Sequence, residues 1–429
     1  MRYSKLPARR ALLVLFILLG LGATASGSVE TTELAPAMTL QEAVSRALAN
    51  NPGIKAAKID VYIEEARRDA NALSTPYKFQ TEVENFAGTD NVSGFDFAET
   101  TLRLSKVLEL GDKRQYRTNV GDAQVGLARI ETTVQQLELT AEVSRRYANL
   151  LKRQEQIKLA AESVAIGNRT LEVVQRRVAA GRASEAEQSS AAVALSRTEL
   201  IGQRLEFELA GARVGLSTLW GSTTPAFTRV DGDIFLIPPL PAYAELEKRL
   251  AENPELLRFS TISRIQNAQR KLAQSRRRSD IELSAGLRHL ATTDDMAMVF
   301  SFSMPFGSSG RAEPLVRETD MAIAKMPMTR EDRLLNLKSA LFSFYQMLLA
   351  DRSEFYTLHD QIIPEAERAV RFYERGFELG SYSLLELTAS QESLLALRRD
   401  ALEAAATYHL ALIEVESLLG SMSPGGALQ

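Results

Sequence analysis

From Val143 to Val178 every seventh residue is apolar (Val143, Leu150, Ile157, Val164, Leu171 and Val178), and the stretch ends at Gly181. An ordinary α-helix drifts about 20° per heptad from such a row, so a strict repeat predicts long helices supercoiling round one another. The stride resumes at Ala186, Val193, Leu200, Phe207 and Val214, which predicts a return helix reached through a tight hairpin. About 199 residues later the object recurs: Leu334, Leu341, Leu348, Phe355, Ile362 and Ala369, a turn with Gly376 and Gly380, then Leu387, Leu394, Ala401, Tyr408 and Val415. Gly181 corresponds to Gly380, and the Leu-Trp-Gly-Ser ending at Ser222 to the Leu-Leu-Gly-Ser ending at Ser421. The 429 residues therefore read as two copies of one unit.

Each copy opens on two shorter helices. Thr39 to Asn51 is capped by Thr39 with Glu42 three residues on and stopped at Asn50-Asn51-Pro52; Ile54 to Leu73 follows. Tyr243 to Glu252, Asn253-Pro254 and a helix to about Arg278 repeat them. The hydrophobic period then changes from about 3.6 to 2. Tyr77, Phe79, Thr81 and Val83 alternate with Lys78, Gln80, Glu82 and Glu84; after a polar loop, Ala98, Thr100, Leu102 and Leu104 alternate with Glu99, Thr101, Arg103 and Ser105. In the second copy Ile281, Leu283, Ala285 and Leu287 stand opposite Glu282, Ser284, Gly286 and Arg288, and Met296, Met298, Phe300, Phe302 and Met304 opposite Ala297, Val299, Ser301 and Ser303. Strand passes to helix at Leu110-Gly111-Asp112-Lys113-Arg114, where Gly111 breaks the strand and Asp112 is expected to cap the helix with Gln115 as capping-box partner.

The expected organisation is a first repeat over 26–221, with strands at about 77–86 and 97–109 and long helices at about 112–180 and 184–220. A Pro-rich linker over 222–242 leads to a second repeat over 243–421, with strands at about 280–290 and 296–305, helices at about 312–379 and 383–419, and a tail over 422–429. The fold class is mainly α with a membrane β part. Four amphipathic strands cannot close a membrane barrel, because an open edge in lipid leaves backbone groups unsatisfied. Several chains must contribute: three copies give twelve strands and an open lumen, two give eight and a lumen that side chains tend to fill.

Arg2, Lys5, Arg9 and Arg10 precede an apolar run from Ala11 to about Leu21 and the Ala23-Thr24-Ala25 site, so a secretory leader over 1–25, cleaved after Ala25, is expected. No later stretch is apolar for long enough to make a membrane helix. The chain has no cysteine, so packing alone must hold it, and an acylated N-terminal Cys is not expected. Its 51 basic residues are offset by 54 acidic ones, and no basic run with interleaved aromatics follows the leader, which speaks against nucleic acid as a partner.

Leader, duplicated helix, β-hairpin and long helical hairpin, and Pro-rich linker together resemble the outer-membrane efflux proteins, the TolC-like family, over about Thr39 to Ser421. Leu108 to Arg114 resembles the Gly-Gly-Lys-Arg segment of the heavy-metal cation branch, the CzcC-like proteins, with Asp112 in place of the second Gly. The resemblance implies a homotrimer whose twelve-stranded β-barrel crosses the outer membrane and continues as an α-helical barrel through the periplasm. It implies a periplasmic adaptor and an inner-membrane pump, of the resistance-nodulation-division type, as partners, and a passive duct for cations such as cobalt, zinc, cadmium or copper and silver.

In such a barrel Lys78, Glu82, Glu84, Glu99, Arg103, Glu282 and Arg288 line the lumen as a mixed-charge wall without a strong ion filter. Gly181, Gly380, Glu185, Glu187, Glu378 and Glu386 mark the hairpin tips, where gating and adaptor contact are expected. The glutamates either gather cations at the entrance or favour the positive ends of the following helices. Arg176, Arg177, Arg182 and Arg375 lie close by, placed to pair with them between protomers. His289, His359 and His409 lack metal-ligand spacing and read as surface or interface residues, while Met296, Met298 and Met304 read as lipid-facing packing rather than a copper site. No hydrolase, phosphate-loop or metalloprotease signature is present, so no enzyme, cofactor or metal site is expected. Two other functions compete: a duct of the same fold for organic toxicants or secreted polypeptide, and a periplasmic coiled-coil scaffold without a channel.

Overall fold

The computed structural model describes residues 37–421, so the expected leader, residues 26–36 of the expected first repeat and the tail over 422–429 lie outside the described residues. The first repeat runs α1 (Leu40–Asn50), α2 (Pro52–Ala72), β1 (Tyr77–Glu84), β2 (Glu99–Leu108), α3 (Lys113–Ala179) and α4 (Glu185–Ser217). The second runs α5 (Tyr243–Arg249), α6 (Pro254–Ser275), β3 (Ile281–Leu290), β4 (Asp295–Ser303), α7 (Ser308–Thr357), α8 (Ile363–Leu379) and α9 (Leu384–Leu419). With a rise of about 1.5 Å per residue, α3 alone is on the order of 100 Å long.

The same local chemistry starts and stops the elements of both copies. Ser184 and Ser383 cap α4 and α9, and Glu187 and Glu386 return the bond to the cap backbone, two capping boxes in corresponding positions. Thr39 and Glu42 form a third on α1. Asn51 caps α2 through its Oδ1 while its Nδ2 donates to Leu219 O at 2.8 Å; Asn253 caps α6 and likewise donates to Leu418 O. The Asn-Pro pair and the Leu-x-Gly-Ser ending of each repeat thus touch, which closes each repeat on itself.

One departure from the expected helices is in the second copy. Its outgoing helix begins at Ser308 rather than near 312 and is interrupted by a π-helical segment over Leu358–Ile362. Pro364 follows at once, and its missing N–H and crowding ring act on the turn that the π segment widens. The corresponding stretch of α3 contains no proline and runs unbroken.

The coiled-coil rows differ in burial between helices. Leu341, Leu348 and Phe355 on α7 and Leu387, Leu394, Ala401, Tyr408 and Val415 on α9 are buried as the heptads predict. The α4 row is not: Val193 is 68% exposed, Leu200 65% and Phe207 80%, while Ala191, Leu195 and Leu216 make the buried face. α4 carries two apolar stripes, and a single chain covers only one of them.

At the waist, α3 packs its Tyr147, Leu150 and Leu151 against α1, the linker and α9. A second cluster joins α5, α6, α7 and α9 around Leu250, Leu341, Leu348 and Tyr408. The linker crosses this waist with its backbone taken up by helix side chains. Gln154 both donates to Val230 O (3.0 Å) and accepts from Val230 N (2.7 Å), and Tyr147 donates to Met38 O at 2.8 Å. Tyr408 donates to Pro238 O at 2.8 Å. His409, expected at a surface or interface, is instead fully buried beneath the linker with Nε2 2.9 Å from Ile234 O.

The sheet is open and antiparallel in the order β1-β2-β3-β4, so β2 and β3 join the two repeats while β1 and β4 are edges. No helix among the described residues is long and apolar enough to cross a membrane.

Near the end of α9, burial raises the Glu416 carboxyl to about 7, against the opposing pull of the Arg249 charge. A carboxyl raised on folding binds a proton that the unfolded chain has released, so its contribution to stability is present below about pH 4.5 and is lost as pH rises to about 7. Glu416→Gln is accordingly expected to raise the melting temperature at pH 8 and leave it nearly unchanged at pH 4, as calorimetry at the two pH values would read.

Candidate functional site

The candidate residues singled out in the sequence lie in three places: the sheet, its junction with the helices, and the hairpin tips. Cross-strand register sorts the sheet into rows. Phe79, Leu104, Ala285 and Phe300 stand side by side, as do Thr81, Leu102, Leu287 and Met298. On the other face Lys78 is aligned with Ser105, Ser284 and Ser301, and Glu82 with Thr101, Arg288 and Ala297. The exposure is the reverse of a water-soluble sheet. Thr101, Ser105 and Ser284 are buried, whereas Phe79, Met298, Phe300 and Phe302 are each more than three-fifths exposed.

Several of the charged residues expected on the polar face come together. Arg288 reaches Glu99 and Glu84, and Arg103 lies 3.6 Å from Glu82. Lys78 and Glu282 lie nearer the helical end of the same face.

The strand-to-helix junction is built differently from its expected form. Asp112 sits in the left-handed region (φ +58°) and makes no side-chain cap, because Gly111 (φ +79°) has already turned the chain away from the helix axis. Lys113 anchors the corner instead: its buried Nζ donates to Asp280 Oδ1 at 2.6 Å and to Arg278 O at 2.7 Å, and the same carboxylate accepts from Leu110 N at 3.0 Å. The first repeat's exit from the sheet is thereby tied to the second repeat's entry. Arg114 is exposed and Gln115 bonds Asn119.

At the tips both outgoing helices end in the same way. Gly181 N donates to Val178 O and Arg182 N to Arg177 O; Gly380 N donates to Phe377 O and Ser381 N to Gly376 O. These are Schellman closures, with φ of +68° at Gly181 and +83° at Gly380. Glu187 and Glu386 serve the capping boxes described above, and the Ser383 backbone and hydroxyl hold the Glu386 carboxyl below its ordinary range. Glu185, Glu378, Arg182 and Arg375 are exposed. Arg177, expected to pair with glutamates between protomers, is engaged within the chain: Nη1 donates to Phe377 O at 2.7 Å and the guanidinium lies 4.2 Å from the Phe377 ring centre. It fastens the first tip to the second.

Above that link α3 and α9 are joined by polar rungs that the heptad rows did not indicate. Arg145 meets Glu414 at 2.7 Å, Arg398 bridges Glu162 on α3 and Glu367 on α8, and buried Thr170 and Gln391 bond each other. The only sequence signal for them is polar residues at positions flanking the apolar rows.

The comparisons with known proteins agree with this architecture. The model of the outer membrane efflux protein family matches residues 43–222. The chain is 26% identical over 393 residues to the cobalt-zinc-cadmium resistance protein CzcC of Cupriavidus metallidurans, covering 90% of this chain and 91% of that one. It is 23% identical to the nickel-cobalt-cadmium resistance protein NccC of Alcaligenes xylosoxydans xylosoxydans over 64% of this chain and 61% of that one. In fold it is similar to CusC, solved in a study of folding and transmembrane channel formation, with a TM-score of 0.75 at 16% identity over 89% of this chain and 92% of that one. The chain resembles the outer membrane efflux proteins, whose family model matches its first repeat, and the relatives it matches in sequence are named as heavy-metal resistance proteins.

The tip geometry gives a measurable coupling. A Cβ on Gly376 would stand 2.2 Å from Tyr382 Cδ2, and that ring packs 4.8 Å from Tyr373. Gly376→Ala is expected to loosen the α8 end by about 1–3 kcal/mol in local hydrogen exchange, an overpacking cost. In a Tyr382→Ala background it should cost nothing further.

Proposed function

We propose that this chain is the outer-membrane exit duct of a tripartite efflux system for heavy-metal cations. Three copies close a twelve-stranded barrel in the outer membrane, continued by an α-helical tunnel into the periplasm. The observation that carries this reading is the inverted sheet, with Phe79, Met298, Phe300 and Phe302 uncovered on one face, Thr101, Ser105 and Ser284 buried on the other, and two unpaired edges. In lipid such edges must be satisfied, and pairing β4 of one copy with β1 of the next does so without new structure.

The exposed helical rows support the same assembly. As well as the α4 row, Met328, Leu335, Phe342 and Leu349 form a largely exposed row of seven-residue spacing on α7. Two unpartnered coiled-coil seams on different helices are what a ring of like chains requires. Metal cations are favoured over organic cargo by the names of the sequence relatives, cobalt-zinc-cadmium and nickel-cobalt-cadmium resistance proteins.

The driving force belongs to an inner-membrane pump, and a periplasmic adaptor engages the six hairpin tips. There Arg177, Gly181, Arg182, Glu185, Glu187, Arg375, Glu378, Gly380 and Glu386 form the contact and gating surface. The Arg177 link holds the tips of each chain together in the resting state, and adaptor docking parts them.

Deleting the gene should lower tolerance to cobalt, zinc or cadmium, and the intact chain should restore it. Normal metal tolerance with new sensitivity to organic toxicants would overturn the metal reading. Phe300→Arg, on the apolar face, should hinder insertion by about 2–4 kcal/mol if the residue lies near mid-bilayer, while Ser301→Arg should be mild. The yield of protein in the outer-membrane fraction reads the difference.

A further inference from the structure

The ends of the strands that point away from the helices carry more charge than the rest of the polar face. On the polar face, whose rows alternate with those of the apolar face, the last three rows hold Glu82, Glu84, Glu99 and Asp295 against Arg103 and Arg288, an excess of two carboxylates per chain. Nearer the helices the face holds Lys78 and Glu282, which balance, among serines.

Glu84 and Glu99 are direct cross-strand partners. Like charges so placed repel, and two carboxylates side by side are also a ready pair of oxygen ligands for a divalent cation. Arg288 fills that position. From β3 its Nη1 meets Glu99 at 2.5 Å, its Nη2 meets Glu84 at 3.2 Å, and its Nε donates to Thr101 Oγ1 at 2.9 Å. Asn85 Nδ2 donates to the other Glu99 oxygen at 3.2 Å.

We propose that Arg288 is a specificity-determining residue at the outer mouth: it leaves enough negative charge to favour cations yet occupies the carboxylate pair that would otherwise hold a departing divalent cation. The proposal rests on the barrel described above, in which these rows ring the exit. A duct must attract its cargo weakly enough to release it. One guanidinium shared by two carboxylates meets both demands, since the excess charge persists while the paired oxygens are already taken.

The test is reversal potential under a KCl gradient, with and without cobalt chloride, for the purified protein in planar bilayers. Wild type should be cation-selective and carry potassium current in millimolar cobalt. Arg288→Gln should raise the potassium-to-chloride permeability ratio at least about twofold and be blocked at roughly tenfold lower cobalt, as expected for a freed carboxylate pair. Arg288→Lys, which keeps the charge, should retain wild-type selectivity, a result that a purely strand-tying role does not require. The double variant Glu84→Gln with Glu99→Gln should shift the reversal potential toward that of chloride. Wild-type selectivity and cobalt response in Arg288→Gln would overturn the inference. Should that variant not assemble, an unchanged reversal potential in the double glutamine variant overturns it. A wild-type protein that forms no conducting assembly would overturn the barrel reading as well.

Discussion

A four-stranded open sheet that buries Thr101, Ser105 and Ser284 while leaving Phe79, Met298, Phe300 and Phe302 bare is not at rest in water as a single copy. Its two edges present unpaired backbone donors and acceptors, and its outer face presents contiguous aromatic and aliphatic surface. Both demands are met together when the edges pair with other copies and the face meets lipid. The proposed trimer follows from that constraint, and the uncovered stripes of α4 and α7 carry it down the helices.

Duplication explains how one chain meets the constraint with little new information. Asn51 and Asn253, Ser184 and Ser383, Glu187 and Glu386, and Gly181 and Gly380 do the same physical work in each copy. What differs between the copies is where function is proposed. Only the second outgoing helix has the π segment before Pro364, and position 376 is a glycine that admits Tyr382 where the first copy has Arg177. The two tips are thus complementary rather than equivalent: one supplies the guanidinium, the other the carbonyl and ring that receive it.

Local periodicity and capping chemistry made most elements legible from the sequence. The alternation at Tyr77 to Glu84, the Ser-x-x-Glu boxes and the glycine closures each act within a few residues. Interactions between distant positions were not legible. Nothing near Lys113 announces Asp280, and nothing near Tyr147 or His409 announces the linker backbone they hold. Asp112 shows the limit of a local rule: its spacing to Gln115 satisfies the capping pattern, yet the turn set by Gly111 places it in a left-handed conformation. The α4 heptads leave Val193, Leu200 and Phe207 bare, because a seven-residue period does not say whether a partner helix belongs to the same chain.

Mass determination of the purified protein in mild detergent would decide whether the open sheet is completed by like chains. A complex of three copies, dissociating only when the sheet unfolds, is the expected result. A stable monomer that remains embedded in a bilayer would contradict it, because the edges of β1 and β4 would then be shown to tolerate lipid unpaired.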